Sequence, residues 1–380
     1  MFISLVLTIG LSLSIIQRAE GTAEIPEVFQ SQNSAEVFFK RVDYSDLRGW
    51  GQDDYREVIK VFLKSCERII PPKREQLVFT QLGRNVTSND FYGICRIARA
   101  IENYDGEYIR MFFEKYFVPY RVIDTTSGAS LFTGYYIPKI LAKRTRDEVF
   151  RYPIYRRPPE LINGIKYYTR KQIHSGALDD RNLEMLYTND PVELYFMHIQ
   201  GSGIVKLVEE NRFTYVGFDG KNNCNYSPLG KNIAANSLLI PRELRMDART
   251  LKRELKKDIA RAIELLNANE SYVFFKFLKN SKFTGAFGTE LIPFRTMAVD
   301  SKYIPLGFPL WVNTKHTREN SNVEFSRILF ANDVGSAVKG VNRGDIFFGF
   351  GKDGEENSSF QYASGQYFLL IPIKIAKKLR

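Results

Sequence analysis

The residues best suited to chemistry are three aspartates in the C-terminal part of the chain. Asp300 ends the segment TMAVD, Asp333 ends RILFAND and Asp345 begins DIFFGFG, so each lies at one end of a strand-like segment. A carboxyl group at a strand end suits a groove that is lined by loops on a rigid sheet, where it can donate or accept a proton. A single aspartate in such a position is more often the cap of a turn. Taken together with their neighbours, the three aspartates favour a catalytic site over three separate turns.

The strand that begins at Asp345 is expected to carry a groove on one side. Because side chains alternate along a strand, Asp345, Phe347 and Gly349 should share one face, and the apolar residues between them the other. A face that combines a carboxylate, an aromatic ring and a glycine without a side chain suits a sugar-binding groove.

Composition limits the class of protein. The 380 residues, 44% of them hydrophobic, are enough for one large domain or two moderate ones. The formal net charge of +11 suits an acidic polymer, and without a recognisable nucleic-acid-binding module no nucleic-acid partner is expected. His174, His198 and His316 lack metal-ligand spacing, so neither a metal nor another cofactor is expected. Cys66 and Cys95 could pair in an oxidising compartment or stay as buried thiols.

The N-terminal segment indicates export. Its apolar stretch, residues 2–16, is short for a membrane span, and Ala19 and Gly21 follow at the spacing of a cleavage site. We therefore expect a signal peptide over residues 1–21, with an uncleaved membrane anchor as the alternative. No cysteine lies near this segment, so a lipid-modified cysteine is not expected.

Periodicity divides the chain into helical and β-rich parts. Asp53 is expected to cap the first of three predicted helices, at residues 53–69, 88–100 and 105–116. From Ser130 onward, short aromatic and β-branched segments predict strands, among them GIKYYTR and VELYFMHIQGSGIVKL. One long amphipathic helix is predicted over residues 241–268, and strand-like segments follow it.

Six ordered motifs carry a family resemblance. The strings AVDSKYIPLGFPLWV and ANDVGSAVKGVNRGDIFFGFG resemble the C-terminal three-aspartate domain of the membrane-bound lytic murein transglycosylase A family. Upstream, LFTGYYIP, YFMHIQGSGIV, YVGFDGKNNCNYSPLGK and NESYVFF resemble other motifs of that family in the same order. The resemblance implies a mainly β fold with N-terminal helices, in which a groove separates two domains. These are a double-psi β-barrel from residues 22–138 and 272–380, and a smaller β-barrel inserted as residues 139–271.

The resemblance also implies an activity. Proteins of this family cleave the β-1,4 bond between N-acetylmuramic acid and N-acetylglucosamine in peptidoglycan, without water, and leave 1,6-anhydromuramic ends. Asp345 would act first as the acid and then as the base, Asp333 would face the same site, and Asp300 would support it. Apolar neighbours of Asp345 and an ionised Asp333 would raise its pKa.

The implied setting is the periplasm, with glycan strands of peptidoglycan as the partner. Outer-membrane association or membership of a cell-wall complex stays open, and a monomer is expected. The candidate substrate-binding residues are polar, aromatic or glycine residues in the matching motifs: Thr133, Gly134, Tyr135, Tyr136, Gln200, Ser202 and Tyr226. The chain departs from the family pattern at Ile137 and Ser336 and in lacking the lipid-modified cysteine.

Two other functions are compatible with the same residues. A hydrolytic cell-wall glycosidase would use Asp333 and Asp345 as its carboxylate pair. A non-catalytic protein that binds the cell wall would retain the barrel fold but have no activity. The products released from peptidoglycan distinguish these three hypotheses.

Overall fold

A computed structural model describes residues 24–70, 77–83, 86–126, 128–230 and 247–379. The predicted signal peptide, residues 1–21, lies outside these ranges. Among the helices in the described part, none has the length and apolar character needed to cross a membrane.

Fifteen strands and nine α-helices occur in the described residues. The strands are β1 (Val28–Gln30), β2 (Val37–Arg41), β3 (Phe117–Asp124), β4 (Ser130–Ile137), β5 (Lys139–Lys143), β6 (Tyr152–Tyr155), β7 (Glu184–Thr188), β8 (Ser202–Leu207), β9 (Arg212–Lys221), β10 (Val273–Phe277), β11 (Thr296–Ala298), β12 (Pro309–Thr317), β13 (Asn322–Asp333), β14 (Arg343–Phe350) and β15 (Tyr362–Pro372). The helices are α1 (Tyr55–Ile69), α2 (Tyr92–Ala100), α3 (Gly106–Tyr116), α4 (Arg170–His174), α5 (Pro191–Gln200), α6 (Ala248–Leu255), α7 (Ile259–Asn267), α8 (Gly351–Ser358) and α9 (Ile373–Ala376).

The larger sheet closes into a barrel. Its strands follow the order β15, β12, β13, β11, β14 and β4, and β4 pairs again with β15. Two of the pairings are parallel, β11 with β13 and β14 with β4, and the others in the ring are antiparallel. Strands β3, β2 and β1 extend the sheet from β15. This mixed six-stranded ring is consistent with the expected double-psi β-barrel.

The smaller sheet forms a second barrel in the middle of the chain. Its order is β10, β9, β8, β5, β7 and β6, and a bridge between Arg156 and Phe275 joins the segment after β6 to β10. Ile154, Leu186 and Val205 are among the buried residues of its core. The expected fold class, mainly β with two barrels and N-terminal helices, is therefore confirmed.

The inserted part is longer than predicted. The predicted boundary at residue 271 falls one strand too early, because β10 pairs with β9 of the smaller sheet. The chain returns to the larger barrel only after Phe277, where β11 lies between β13 and β14.

The N-terminal helices pack against the larger barrel. In α1, Phe62 stacks on Phe330 of β13 at a ring distance of 6.4 Å. The N-cap of α1 is Asp54, whose carboxylate accepts from two backbone N–H groups; the expectation that Asp53 caps this helix is wrong. A disulfide between Cys66 and Cys95 joins α1 to α2, which decides between the two alternatives left by the sequence.

Asp53 instead holds the helical layer to the barrel. Its carboxylate accepts two hydrogen bonds from the Arg295 guanidinium, at 2.8 and 2.7 Å, and one from the Ile328 N–H at 2.7 Å. Both charged side chains are almost fully buried, with exposures of 1% and 2%. Arg295 directly precedes β11, so this ion pair ties the start of that strand to the segment before α1.

Three predictions of helices and strands are wrong. Half of the predicted strand VELYFMHIQGSGIVKL is helix α5, which Asp190 caps, Pro191 begins and Gly201 ends in a left-handed conformation. These are ordinary helix start and stop signals. The helix predicted over residues 241–268 is two helices in the described part, α6 and α7, and Asp258 caps the second. GIKYYTR lies outside the strands and leads into α4.

Replacing Asp53 with Asn is expected to lower the free energy of unfolding by about 3 kcal/mol or more, because the Arg295 guanidinium would lose its buried charged partner and keep only the partly exposed Glu57. Denaturation in urea, followed by circular dichroism, measures this loss. Glu57 also contacts Arg295 but its side chain is 42% exposed, so Glu57→Gln is the matched control and should cost less than about 1 kcal/mol. Equal losses in the two variants would contradict the assigned role of Asp53.

Candidate active site

Four residues on adjacent strands form a row across the larger barrel. Ala298 of β11 pairs with Asp333 of β13 on one side and with Asp345 of β14 on the other. Asp345 in turn pairs with Thr133 of β4. Backbone pairing therefore places the two carboxyl groups two strands apart on the same region of the barrel.

Asp345 is a weak acid for an aspartate, because its surroundings favour the protonated form. Burial raises its pKa from the usual value of 3.8 to about 6. The Thr133 hydroxyl donates to Asp345 Oδ1 at 2.8 Å, and this bond and the charge of Arg343 limit the rise. The negative charge of Asp333 adds a smaller upward contribution. A carboxyl group with such a pKa is still about one tenth protonated at pH 7 and can serve as a general acid.

Asp333 is fully engaged in hydrogen bonds. Its Oδ1 accepts from the Ala286 and Val334 N–H groups, both at 2.9 Å, and its Oδ2 accepts from the Tyr135 hydroxyl at 2.8 Å. Burial raises the pKa of Asp333, and these three donors oppose the rise. The Tyr135 ring also contacts Phe347 at 5.1 Å. Asp333 thus fixes two loops and a tyrosine beside Asp345.

Asp300 connects two turns. Its carboxylate accepts from the Lys302 N–H at 3.1 Å and from the Gly340 N–H at 2.8 Å. Gly340 follows the loop of residues 335–338, so Asp300 fixes the end of this loop through the Gly340 N–H.

A cavity of about 140 Å³ lies between the two barrels and contains Asp345. The larger barrel contributes Asp345 and the loop of residues 335–338 to its wall. The inserted barrel contributes, among others, Phe218, Lys221 and Tyr226. Arg170 and His198 also line the cavity and are discussed below. Burial, followed by the charges of Tyr195 and Asp345, raises the pKa of Tyr226 to about 12, so the phenol stays protonated. The inserted barrel therefore faces the candidate acid directly.

The seven candidate binding residues lie in different surroundings in the structure. Thr133 and Tyr135 contact the two aspartates, and Tyr226 lines the cavity. Ser202 lies in β8, paired with Gly217, and is not part of the cavity wall in the described residues.

Gly134 and Tyr136 point to the other face of β4. A Cβ on Gly134 would lie 2.7 Å from the Phe348 ring, so this glycine is needed for packing. The Tyr136 hydroxyl donates to Glu355 at 3.1 Å and accepts from Lys252 at 2.8 Å, in a buried contact between the barrels. Because side chains alternate along a strand, these two positions of β4 face away from Thr133 and Tyr135. A role of Gly134 and Tyr136 in substrate binding stays a prediction.

Gln200 and Phe347 both have contacts inside the protein. Gln200 accepts from the Tyr136 N–H at 3.1 Å, so it links α5 to β4. Phe347 was expected beside Asp345 in the groove, but it is fully buried. The register of β14 with β4 shifts between Phe347 and Phe350, and this irregularity ends the simple alternation.

Sequence reasoning missed several residues near Asp345. Arg343 donates to the Thr133 hydroxyl at 3.3 Å, and its spacing of two residues from Asp345 on one strand was a usable signal. Phe218, Lys221 and Arg170 come from the inserted barrel, and their approach to the cavity depends on how the two barrels pack.

The chain combines two closed barrels with an aspartate, Asp345, that lines the cavity between them. The family model described as MltA specific insert domain matches residues 131–276, and the 3D domain model matches residues 295–368. Together the two models match more than half of the chain. The chain belongs to the membrane-bound lytic murein transglycosylase A family.

Individual relatives agree with this assignment. Membrane-bound lytic murein transglycosylase A of Vibrio cholerae is 34% identical over 228 residues, which are 59% of this chain and 60% of that protein. The chain thus spans less than two thirds of the length of this curated relative. The crystal structure of a membrane-bound lytic murein transglycosylase from Agrobacterium tumefaciens is 26% identical, with a TM-score of 0.78 over 90% of this chain and 99% of that one. Escherichia coli MltA with bound chitohexaose is 25% identical, with a TM-score of 0.65 over 82% of this chain and 89% of that one.

Two substitutions should move the pKa of Asp345 in opposite directions. Thr133→Val removes a hydrogen bond that favours the carboxylate and should raise the pKa. Asp333→Asn removes a nearby negative charge and should lower it. Carbon-13 NMR titration of aspartate-labelled protein measures both shifts. Asp353→Asn, which removes an exposed carboxylate on α8, is the control and should leave the value unchanged. Shifts of the same sign in the first two variants would contradict this electrostatic picture.

Proposed function

We propose that the protein is a peptidoglycan lytic transglycosylase with Asp345 as its acid and base. The observation that carries this proposal is the carboxyl group of Asp345, which has a pKa of about 6 and lines the cavity between the barrels. The names of the relatives, lytic murein transglycosylases, support the same assignment. The larger barrel would supply the catalytic group, and the inserted barrel would supply contacts to the glycan.

The proposed bond is the β-1,4 link between N-acetylmuramic acid and N-acetylglucosamine. Protonated Asp345 donates its proton to the glycosidic oxygen as the bond from that oxygen to the anomeric carbon breaks. The resulting carboxylate then accepts the proton of the muramyl 6-hydroxyl, whose oxygen attacks the anomeric carbon. A 1,6-anhydro sugar is formed, the leaving sugar keeps the first proton, and Asp345 regains a proton for the next cycle.

The surroundings of Asp333 favour this mechanism over hydrolysis. A hydrolytic glycosidase needs a second carboxylate that is free to attack the sugar or to activate water. Asp333 accepts three hydrogen bonds within the protein and does not belong to the described wall of the cavity. It is therefore better suited to holding Tyr135 and the adjacent loops than to a direct role in bond cleavage.

Exposed aromatic side chains in the cleft support a glycan as the substrate. Phe218 and Tyr226 line the cavity yet stay 51% and 39% exposed. Flat apolar rings at such positions can stack on the faces of sugar rings, and the Tyr226 hydroxyl can hydrogen-bond to them. The related Escherichia coli protein has been crystallised with chitohexaose, a glycan oligomer. We also propose that the protein acts in the cell envelope, because its relatives are named membrane-bound murein transglycosylases. The disulfide between Cys66 and Cys95 is compatible with an oxidising compartment of this kind.

Asp345→Asn should abolish the release of anhydro-muropeptides, because the amide can neither donate nor accept the transferred proton. We expect a loss of at least about 100-fold in initial rate on murein sacculi, the lower range for general acid–base catalysis. Mass spectrometry of the soluble products measures both rate and chemistry. Asp353→Asn serves as the matched charge control and should retain wild-type activity. Reducing ends in place of anhydro ends would instead support a hydrolase.

The rate should also depend on pH through Asp345. Because the first step needs the protonated acid, kcat/KM should fall above pH 6, by about tenfold per pH unit once the group is mostly ionised. Thr133→Val should shift this fall to higher pH, since the hydroxyl favours the ionised form. Turbidity loss of a sacculus suspension between pH 4 and 9 provides the measurement. A rate that rises through this alkaline range would exclude Asp345 as the initial proton donor.

A further inference from the structure

A second and larger cavity lies in the inserted barrel. Its volume is about 450 Å³, and we call it the insert cavity. Arg170, Tyr195, His198 and Tyr272 line it and are buried, so they form its floor. Arg170 and His198 also line the cavity that contains Asp345, so they form a shared wall between the two.

The Arg170 guanidinium is buried without a carboxylate partner among the described residues. Its side chain donates to the carbonyl oxygens of Asn269 and Ser271, at 3.1 and 2.5 Å, and to His198 Nδ1 at 2.9 Å. The guanidinium lies over the rings of Tyr195 and Tyr272, at 4.7 and 5.1 Å. An arginine has five N–H donors, so two of them have no partner in the described part of the chain. A buried cation normally has an anionic partner. The Arg170 guanidinium is instead fixed by neutral acceptors and keeps N–H groups that could bind an anion.

His198 adds another donor without a partner. Burial and the nearby Arg170 charge lower its pKa well below the usual value, so the ring is neutral. Its Nδ1 accepts the hydrogen bond from Arg170, which leaves the proton on Nε2. That Nε2 atom is buried and has no hydrogen-bond partner among the described residues. The wall shared by the two cavities therefore carries several N–H donors for which the described residues supply no acceptor.

Charges of both signs surround the opening of the insert cavity. Arg146, Arg151 and Asp179 line it and are exposed, and Glu184 lines it with partial exposure. Within the described ranges, none of these four side chains takes part in an ion pair. A ligand with both carboxylate and ammonium groups matches this arrangement better than a simple anion does.

We propose that the insert cavity binds a short acidic peptide with a free carboxylate on Arg170 and His198. The planar guanidinium can form two parallel hydrogen bonds to a carboxylate, and the His198 Nε2–H can add a third. Arg146 and Arg151 then face further carboxylates, and Asp179 and Glu184 face an amine. The choice of peptide rests on the proposed function, because peptidoglycan carries short peptides with these groups. The shared wall places the bound peptide next to the cavity that contains Asp345.

The experiment measures peptide binding separately from glycan cleavage. Alanyl-γ-glutamyl-diaminopimelate is titrated into the wild-type protein by isothermal titration calorimetry, beside the same peptide with every carboxylate amidated and beside inorganic phosphate. We expect the acidic peptide to bind at least tenfold more tightly than the amidated peptide and than phosphate. Equal binding of the amidated peptide, tighter binding of phosphate, or no binding of the acidic peptide would overturn the proposal.

Variants then test the assigned residues. Arg170→Met should abolish the preference for the acidic peptide, and Arg151→Gln, at an exposed position, should reduce its affinity several-fold. Arg261→Gln is the control, because it removes a positive charge from α7 outside the insert cavity and should leave binding unchanged. If Arg170→Met fails to fold, the comparison of acidic with amidated peptide decides, together with Arg151→Gln. A folded Arg170→Met that binds the acidic peptide normally would refute the site.

Cleavage of peptide-free glycan strands, measured in parallel, reports the proposed transglycosylase activity alone. Peptide binding without such cleavage would refute the proposed function and leave the binding site standing. Cleavage of these strands without peptide binding would refute the binding site and leave the proposed function standing.

Discussion

Ala298 pairs with Asp333 on one side and with Asp345 on the other, so the backbone hydrogen bonds of the short strand β11 set the spacing of the two carboxyl groups. Adjacent strands lie about 4.8 Å apart, which puts the two aspartate backbones about 10 Å from each other. A strand of three residues has few hydrogen bonds of its own to maintain such a position. The buried pair of Arg295 and Asp53 supplies the missing restraint, and the geometry of the site depends on it.

Identical side chains acquire different chemistry from this arrangement. Asp345 accepts one hydrogen bond from a described partner and is surrounded by protein, so burial dominates and its pKa rises to about 6. Asp333 is also buried, but it accepts three hydrogen bonds that stabilise its charged form and keep it in one orientation. The number of donors aimed at each carboxylate, more than the aspartates themselves, separates the group that can exchange a proton from the group that positions others.

Sequence reasoning recovered the fold class and the aspartate cluster, since strand-end positions and family motifs are local features. It failed where the outcome depends on three-dimensional packing. Helix α5 was taken for a strand because its apolar residues form an almost continuous run, which has no period to distinguish the two. Phe347 was expected in the groove and Tyr136 among the substrate-binding residues, but Phe347 is fully buried and the alternation of β4 turns Tyr136 away from Thr133 and Tyr135. Arg170 gave no signal, because nothing in its neighbours indicates that it will be buried without a carboxylate.

The connectivity of the larger barrel has a consequence for how the molecule is assembled. Strand β4 comes from the first half of the chain, and its partners β14 and β15 are the last two strands. Between them the chain forms an entire second barrel. Such long-range pairings form late, since the ends of a long loop must first be brought together. During synthesis from the N-terminus, Thr133 is present long before Asp345, and the ring closes only when β15 has been made. A partly made chain thus holds one side of the cleft without its acid, and acquires that acid only in its final strands.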